Sequence, residues 1–235
     1  KRLGVRFPPG APRQTGLTMF PISDSIPARR FPFLNLAIII ATVYVFYQQL
    51  IAPSPDSFIL QYSLIPSQIN FSDLTTLFPF VTAIFLHGGF LHILSNMWFL
   101  WVFGDNIEGH LGLVPFFILY FLSGIVGNIL QYLLMSASSI PMLGASGAVA
   151  GVLGAYFVLF PHSRIKTLVP ISIFPTTVNI PAGFMLGYWF ILQILSGAAS
   201  LPFMGDQGGI AFFAHVGGFI TGVGIAQFFK KKWQT

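Results

Sequence analysis

The chain contains no cysteine, so disulfides, thiolate metal sites and cysteine nucleophiles are excluded together. Charge is almost as scarce. Only 7% of the 235 residues are charged, against roughly 25% in a soluble domain, which is too little to coat a water-facing surface. The net charge of +5 does not mark a nucleic-acid partner. Its cations sit at the ends and in one loop, without the patches interleaved with aromatics that such binding needs. H-E-x-x-H is also missing, which disfavours a zinc protease. No metal and no organic cofactor is implied.

What the chain does have is hydrocarbon. Apolar residues make up 54% of it, 27 of them phenylalanine. A spanning helix needs about 20 mostly apolar residues, and six runs qualify: Phe33–Ile51, Thr82–Phe103, Leu113–Met135, Ser146–Phe160, Ile180–Ser196 and Ile210–Phe229. The fourth is the shortest, stopped by Pro161 and opened by Gly144-Ala145-Ser146-Gly147. A helix too short for both interfaces starts below the membrane surface. The expected fold is therefore an all-α polytopic membrane protein with six transmembrane helices.

Charge placement tests that number. Arg29 and Arg30 precede the first run, Arg164 and Lys166 follow the fourth, and Lys230, Lys231 and Lys232 follow the sixth. Six spans put all three groups on one side, the cytoplasm by the positive-inside rule, with both termini there. The opposite loops (52–76, 136–143 and 197–209) carry only Asp56, Asp73 and Asp206. The first of them is long, and its Phe, Leu, Ile and Pro suit a segment lying in the interface. Residues 1–31 read as an N-terminal extension and cytoplasmic segment, 32–230 as the membrane domain, and 231–235 as a basic tail. Lys1–Thr18 lacks a signal-peptide apolar region and reads as a non-native extension, with Met19 the natural start.

Polar groups that ionise or attack are expensive at membrane depth, which makes them functional hypotheses there. Ser146 begins the fourth run on its outer side, and His215 lies in the sixth. At about 1.5 Å rise per residue, His215 falls roughly 8 Å below its helix start, a depth the short fourth helix can match. His92 and Asn96 share one face of the second run at i and i+4. Each has a plainer reading. The serine can satisfy its own carbonyl, the histidine can be a bonded core residue, the asparagine can be interhelical glue, and Gly147 and Gly151 can serve tight packing. Together they form a nucleophile, a base and oxyanion donors in one layer. No carboxylate falls at this depth, which favours a Ser-His dyad over a triad. The G-x-S-x-G elbow is not matched, because position 148 is Ala148.

These residues resemble the rhomboid family of intramembrane serine proteases, in its prokaryotic six-helix form. Gly144-Ala145-Ser146-Gly147 is similar to the family's G-x-S-G nucleophile motif, and His92-x-x-x-Asn96 to its oxyanion-side H-x-x-x-N. Ala214-His215-x-x-Gly218-x-x-x-Gly222 resembles the last-helix motif, whose glycines bring the base helix to the serine helix. Glu108-x-x-x-Gly112, after Gly104, resembles a turn in which the carboxylate is structural. Two positions depart from the pattern. Ala150 stands where some relatives have an aromatic against the catalytic imidazole, so another side chain must hold His215. Phe78-Pro79 stands where some have Trp-Arg.

The resemblance implies an endopeptidase cutting in or near the transmembrane segments of membrane proteins. Ser146 is then the nucleophile and His215 the base, with His92, Asn96 and the Ser146 N–H as oxyanion donors. It implies an integral protein of the prokaryotic inner membrane whose site opens outward. The fifth run, which supplies no expected catalytic residue, would be a lateral gate capped by the 197–209 loop. Two rivals are a catalytically inactive rhomboid-like protein that binds membrane clients, and a transporter. The transporter would need paired broken helices, and no such repeat is visible.

Overall fold

The computed structural model describes residues 20–171, 174–200 and 210–232. Lys1–Thr18, Met19 and most of the 197–209 loop lie outside them. The elements in chain order are β1 (Phe20–Asp24), α1 (Phe33–Ile51), α2 (Pro55–Tyr62), α3 (Pro79–Thr82), α4 (Phe90–Leu111), α5 (Leu113–Leu134), α6 (Ser146–Leu159), β2 (Arg164–Ile171), β3 (Phe174–Pro181), α7 (Ala182–Ser200) and α8 (Phe212–Lys232). Short 3-10 turns flank α3 at Leu74–Leu77 and Ala83–Phe85.

Each of the six apolar runs overlaps one of the helices α1, α4, α5, α6, α7 and α8, and α4, α7 and α8 extend past the expected ends. By length and composition α1, α5, α7 and α8 can each cross a membrane, and α6 is a shorter apolar helix. The second run differs from its expected bounds of Thr82–Phe103. Its helical path is bent by 78° between Leu74–Phe85 and α4, because Gly88 and Gly89 interrupt it. Past Phe103, α4 runs on through Asp105, Asn106 and Glu108. Their polarity signals a helix end in sequence, yet two of the three are buried and bonded here.

Glu108 shows why. Its carboxylate accepts the Leu34 N–H at 3.1 Å and the Asn35 N–H at 2.7 Å. The first turn of any helix leaves N–H groups without intrahelical acceptors. Pro32 provides no side-chain cap for α1, so Glu108 caps it from the neighbouring helix. The helix then ends on Gly112, whose φ of +86° disfavours a Cβ. Asn35 in turn donates to the Leu100 carbonyl at 3.1 Å, tying α1 to α4 along their length.

α6 is the centre of the bundle. Every residue from Gly147 to Tyr156 is buried, which fits a helix apolar on all sides. Around it, the outer faces carry large exposed apolar side chains, among them Ile40 and Tyr44 of α1, Leu133 of α5, Phe184 and Leu195 of α7, and Phe228 of α8. Water would not tolerate an apolar belt of that extent, whereas lipid does. This is an integral membrane protein.

The three strands were not expected from the sequence. They form one antiparallel sheet in the order β1-β2-β3, with Asp24 paired to Ile165 and Arg164 to Pro181. The fifth run, expected from Ile180, therefore begins as a helix only at Ala182. Trp98 of α4 donates to the Pro21 carbonyl at 2.6 Å and stacks on Phe20. Asp24 accepts from Tyr156 Oη at 2.5 Å and from Asn106 Nδ2 at 2.7 Å. Burial raises its carboxyl pKa, and these hydrogen bonds partly offset that. The sheet thus ties the segment before α1 to the α6–α7 connection.

Replacing Glu108 by alanine strands two N–H groups of α1, one buried and one part-buried. The expected cost is about 1–3 kcal/mol, read as a lowered midpoint of thermal unfolding in detergent. An unchanged midpoint would show that the carboxylate does not hold α1.

Candidate active site

The site is built on the contact between α6 and α8. A Cβ on Gly218 would overlap the Gly147 carbonyl oxygen, and one on Gly222 would overlap the Gly151 carbonyl oxygen. Only glycine permits this approach. One turn higher the same seam continues, and a Cβ on Gly147 would lie 3.3 Å from the Ala214 carbonyl oxygen. Ser146 adjoins Gly147 in sequence and His215 adjoins Ala214, so the seam brings nucleophile and base candidates to one level. Both are half-buried.

Gly144 shapes the approach to Ser146. It has a φ of +130°, and its N–H donates to the Ala83 carbonyl at 2.9 Å. A Cβ there would stand 2.8 Å from His92 Cε1 and Nε2 and 3.8 Å from Ser146 Oγ. The space a side chain at Gly144 would fill therefore borders both His92 and Ser146. The Gly88 N–H donates to His92 Nδ1 at 3.3 Å. In a neutral ring this places the proton on Nε2, the nitrogen that faces Gly144. Asn96 is buried one turn along, and its amide donates to the His92 carbonyl at 3.1 Å.

Ser146, His92 and His215 are thus gathered, with Asn96 behind His92. Ser146 Oγ makes no hydrogen bond among the described residues. The His215 ring is instead engaged from the far side. Its Nδ1 lies 2.7 Å from Gln193 Oε1, and Trp189 stacks on it with ring centroids 5.8 Å apart and planes 29° from parallel. Ala150 contributes nothing to this. The side chains that hold the imidazole come from α7, the run that supplies no expected catalytic residue.

Gln131 was also missed. From α5 its Oε1 accepts the Phe213 and Ala214 N–H groups at 3.0 and 3.2 Å, capping α8 just before His215. Both glutamines lie inside apolar runs, and the cost argument that singled out Ser146 applies equally to them. Among the described residues no three His, Cys, Asp or Glu form a group suited to a metal ion.

A family model described as the Rhomboid domain matches residues 74–232, a range that includes every residue of this site. The chain is similar to Rhomboid protein 1, mitochondrial, of Saccharomyces cerevisiae, at 35% identity over 63% of this chain and 41% of that protein. It is similar to RHOMBOID-like protein 6, mitochondrial, of Arabidopsis thaliana, at 30% identity over 60% of this chain and 40% of that protein. A Bacillus subtilis protein provisionally named a rhomboid protease is 36% identical over 42% of this chain and 54% of its own length. The chain spans about two fifths of the length of the first two relatives.

Two glycines of α8 separate contact from mere helix composition. Gly222→Val must push α8 off α6, at about 1–3 kcal/mol or more. Gly224→Ala, with nothing within 4 Å, should stay within about 0.5 kcal/mol or gain slightly. Thermal unfolding of the two variants in detergent checks this, and equal effects would refute the seam.

Proposed function

The chain belongs to the rhomboid family, and from that premise we propose that it is an intramembrane serine endopeptidase acting on transmembrane protein substrates. The observation that carries the reading is the α6–α8 glycine seam, which packs Gly147, the residue after Ser146, against Ala214, the residue before His215.

In the proposed reaction His215 Nε2 takes the Ser146 proton as Oγ attacks the scissile carbonyl. The oxyanion that forms meets the Ser146 N–H at the start of α6, the Nε2–H of His92 and the Asn96 amide once it turns from its own helix. Collapse of the intermediate passes the proton from His215 to the leaving amine and leaves an acyl-enzyme. Water then attacks that ester by the same route in reverse roles. The Ser146–His215 hydrogen bond is absent in the resting structure and forms with substrate, since catalytic hydrogen bonds often tighten only in the complex.

A helical substrate hides its carbonyls in hydrogen bonds, so segments that unwind easily are the preferred targets. Entry is proposed past α7, on whose outer face Phe184, Ile191 and Leu195 are exposed. The sheet supports the expected topology. Pairing of β1 with β2 puts Arg29 and Arg30 at the same end as Arg164 and Lys166, the cytoplasmic end by the positive-inside rule. The site then opens on the opposite side. We assign the protein to a cell membrane, while the yeast and Arabidopsis relatives carry mitochondrial names.

A client-binding protein without catalysis is the second reading, favoured by the unmade Ser146–His215 bond. Purified protein in liposomes, given a transmembrane reporter, separates the two. Cleavage should fall at least about 10³-fold in both Ser146→Ala and His215→Ala. Cleavage that survives Ser146→Ala overturns the mechanism, and an inert parent protein favours client binding. Joining α7 to α4 with a disulfide should block cleavage of the membrane reporter and recover on reduction; undiminished cleavage would exclude α7 as the gate.

A further inference from the structure

A neutral imidazole carries its one proton on either nitrogen, and the hydrogen bond at one nitrogen decides the state of the other. A base aimed at Ser146 needs its lone pair on Nε2, hence its proton on Nδ1. Gln193 Oε1 lies 2.7 Å from that Nδ1, and an amide oxygen can only accept. The contact therefore keeps the proton on Nδ1 and frees Nε2. Gln193 is 6% exposed, so water does not compete for its amide.

The ring also has to keep its plane. Trp189 lies four residues before Gln193 on α7, one turn away on the same face, and stacks on the imidazole. Phe190 and Trp189 both pack against Phe219 of α8, which fixes the indole in turn. One helix face thus holds the imidazole edge with an amide and its flat side with an indole.

We infer that Gln193 is the positioning residue for His215, with Trp189 as its companion, so that a neutral amide does what a carboxylate does for histidine in water-soluble serine proteases. The choice of amide has a physical reason. A carboxylate at this depth is expensive and draws a proton, whereas a buried amide orients the ring without carrying charge. The role rests on His215 acting as the base proposed above, but the hydrogen bond itself can be read without turnover.

The experiment combines nitrogen NMR with kinetics. Protein labelled with ¹⁵N-histidine is studied in micelles, with the His215 signals assigned by their loss in His215→Ala. The parent protein should show His215 as the Nδ1–H tautomer at neutral pH. Gln193→Leu should mix the tautomers and lower kcat by about 10–100-fold, the loss that follows removal of the orienting partner of a metal-bound histidine, with KM changed less than about twofold. Gln193→Glu, whose carboxyl draws a proton at this depth, puts an O–H donor against Nδ1 and should shift the ring to the Nε2–H tautomer with kcat still lowered. Thermal unfolding of each variant separates these effects from a loss of fold. An Nε2–H tautomer in the parent protein, or a Gln193→Leu variant that folds with parental tautomer and kcat, overturns the assignment. If the parent cleaves nothing, the proteolytic reading fails, and the tautomers still decide whether Gln193 sets the ring.

Discussion

Gly218 and Gly222 of α8 face the Gly147 and Gly151 carbonyl oxygens of α6 so closely that a single methyl group would overlap them. Lipid provides no hydrophobic force between helices, so their association rests on packing contact and polar pairing. Packing is greatest where side chains vanish. The seam therefore does two things with one device: it holds α6 at the bundle centre and it sets the register of Ser146 against His215. The shortness of α6 follows the same logic. A helix surrounded on every side needs no apolar reach to both interfaces, and its N-terminus can end at a depth that suits the chemistry.

Two side chains outside the seam fix the remaining freedom. Glu108 accepts the first-turn N–H groups of α1, and Gln131 those of α8. Pro32 offers α1 no side-chain cap, and in α8 the Ala214 N–H is shared between Gln131 Oε1 and the Ala211 carbonyl. In a medium with little water each uncapped N–H would be costly, so capping from a neighbour couples helix position to helix existence. For α8 the effect is local to the site, because Ala214, held by Gln131, is the residue before His215.

The parts of this arrangement legible in sequence were those with a strong, one-dimensional signal. α1 and α5 are uninterrupted apolar runs and match their expected spans within a residue. Gly147 with Gly151, and Gly218 with Gly222, have the four-residue spacing of small residues at a close helix contact. The ends of α4 were not legible, because Gly88 and Gly89 break an apolar run without making it polar. Its far end carries acids that look solvent-exposed until β1 and α1 are placed beside them. The sheet was hidden for a related reason: β3, with Val178 and Ile180, reads as the start of the next span. Gln193 was hidden by its neutrality within an apolar run. A search for a carboxylate to orient His215 passes over a neutral amide.

The location of that amide constrains how admission and catalysis can be ordered. α7 buries only Ala182, Met185, Leu186, Gln193 and Gly197 of its nineteen residues, whereas α6 is buried almost throughout. A lateral displacement that parts helices therefore costs least at α7. Such a movement separates Gln193 Oε1 from His215 Nδ1, since 2.7 Å leaves no slack in a hydrogen bond. The α6–α8 seam is untouched by it. Ser146 and His215 then stay side by side while the imidazole is free to turn and exchange tautomer. Under the proposed function, with α7 as the gate, an entering helix would find the nucleophile in place but the base unaligned, and alignment would return when α7 closes behind it. Proximity of the pair and orientation of its base are thus governed by different helices.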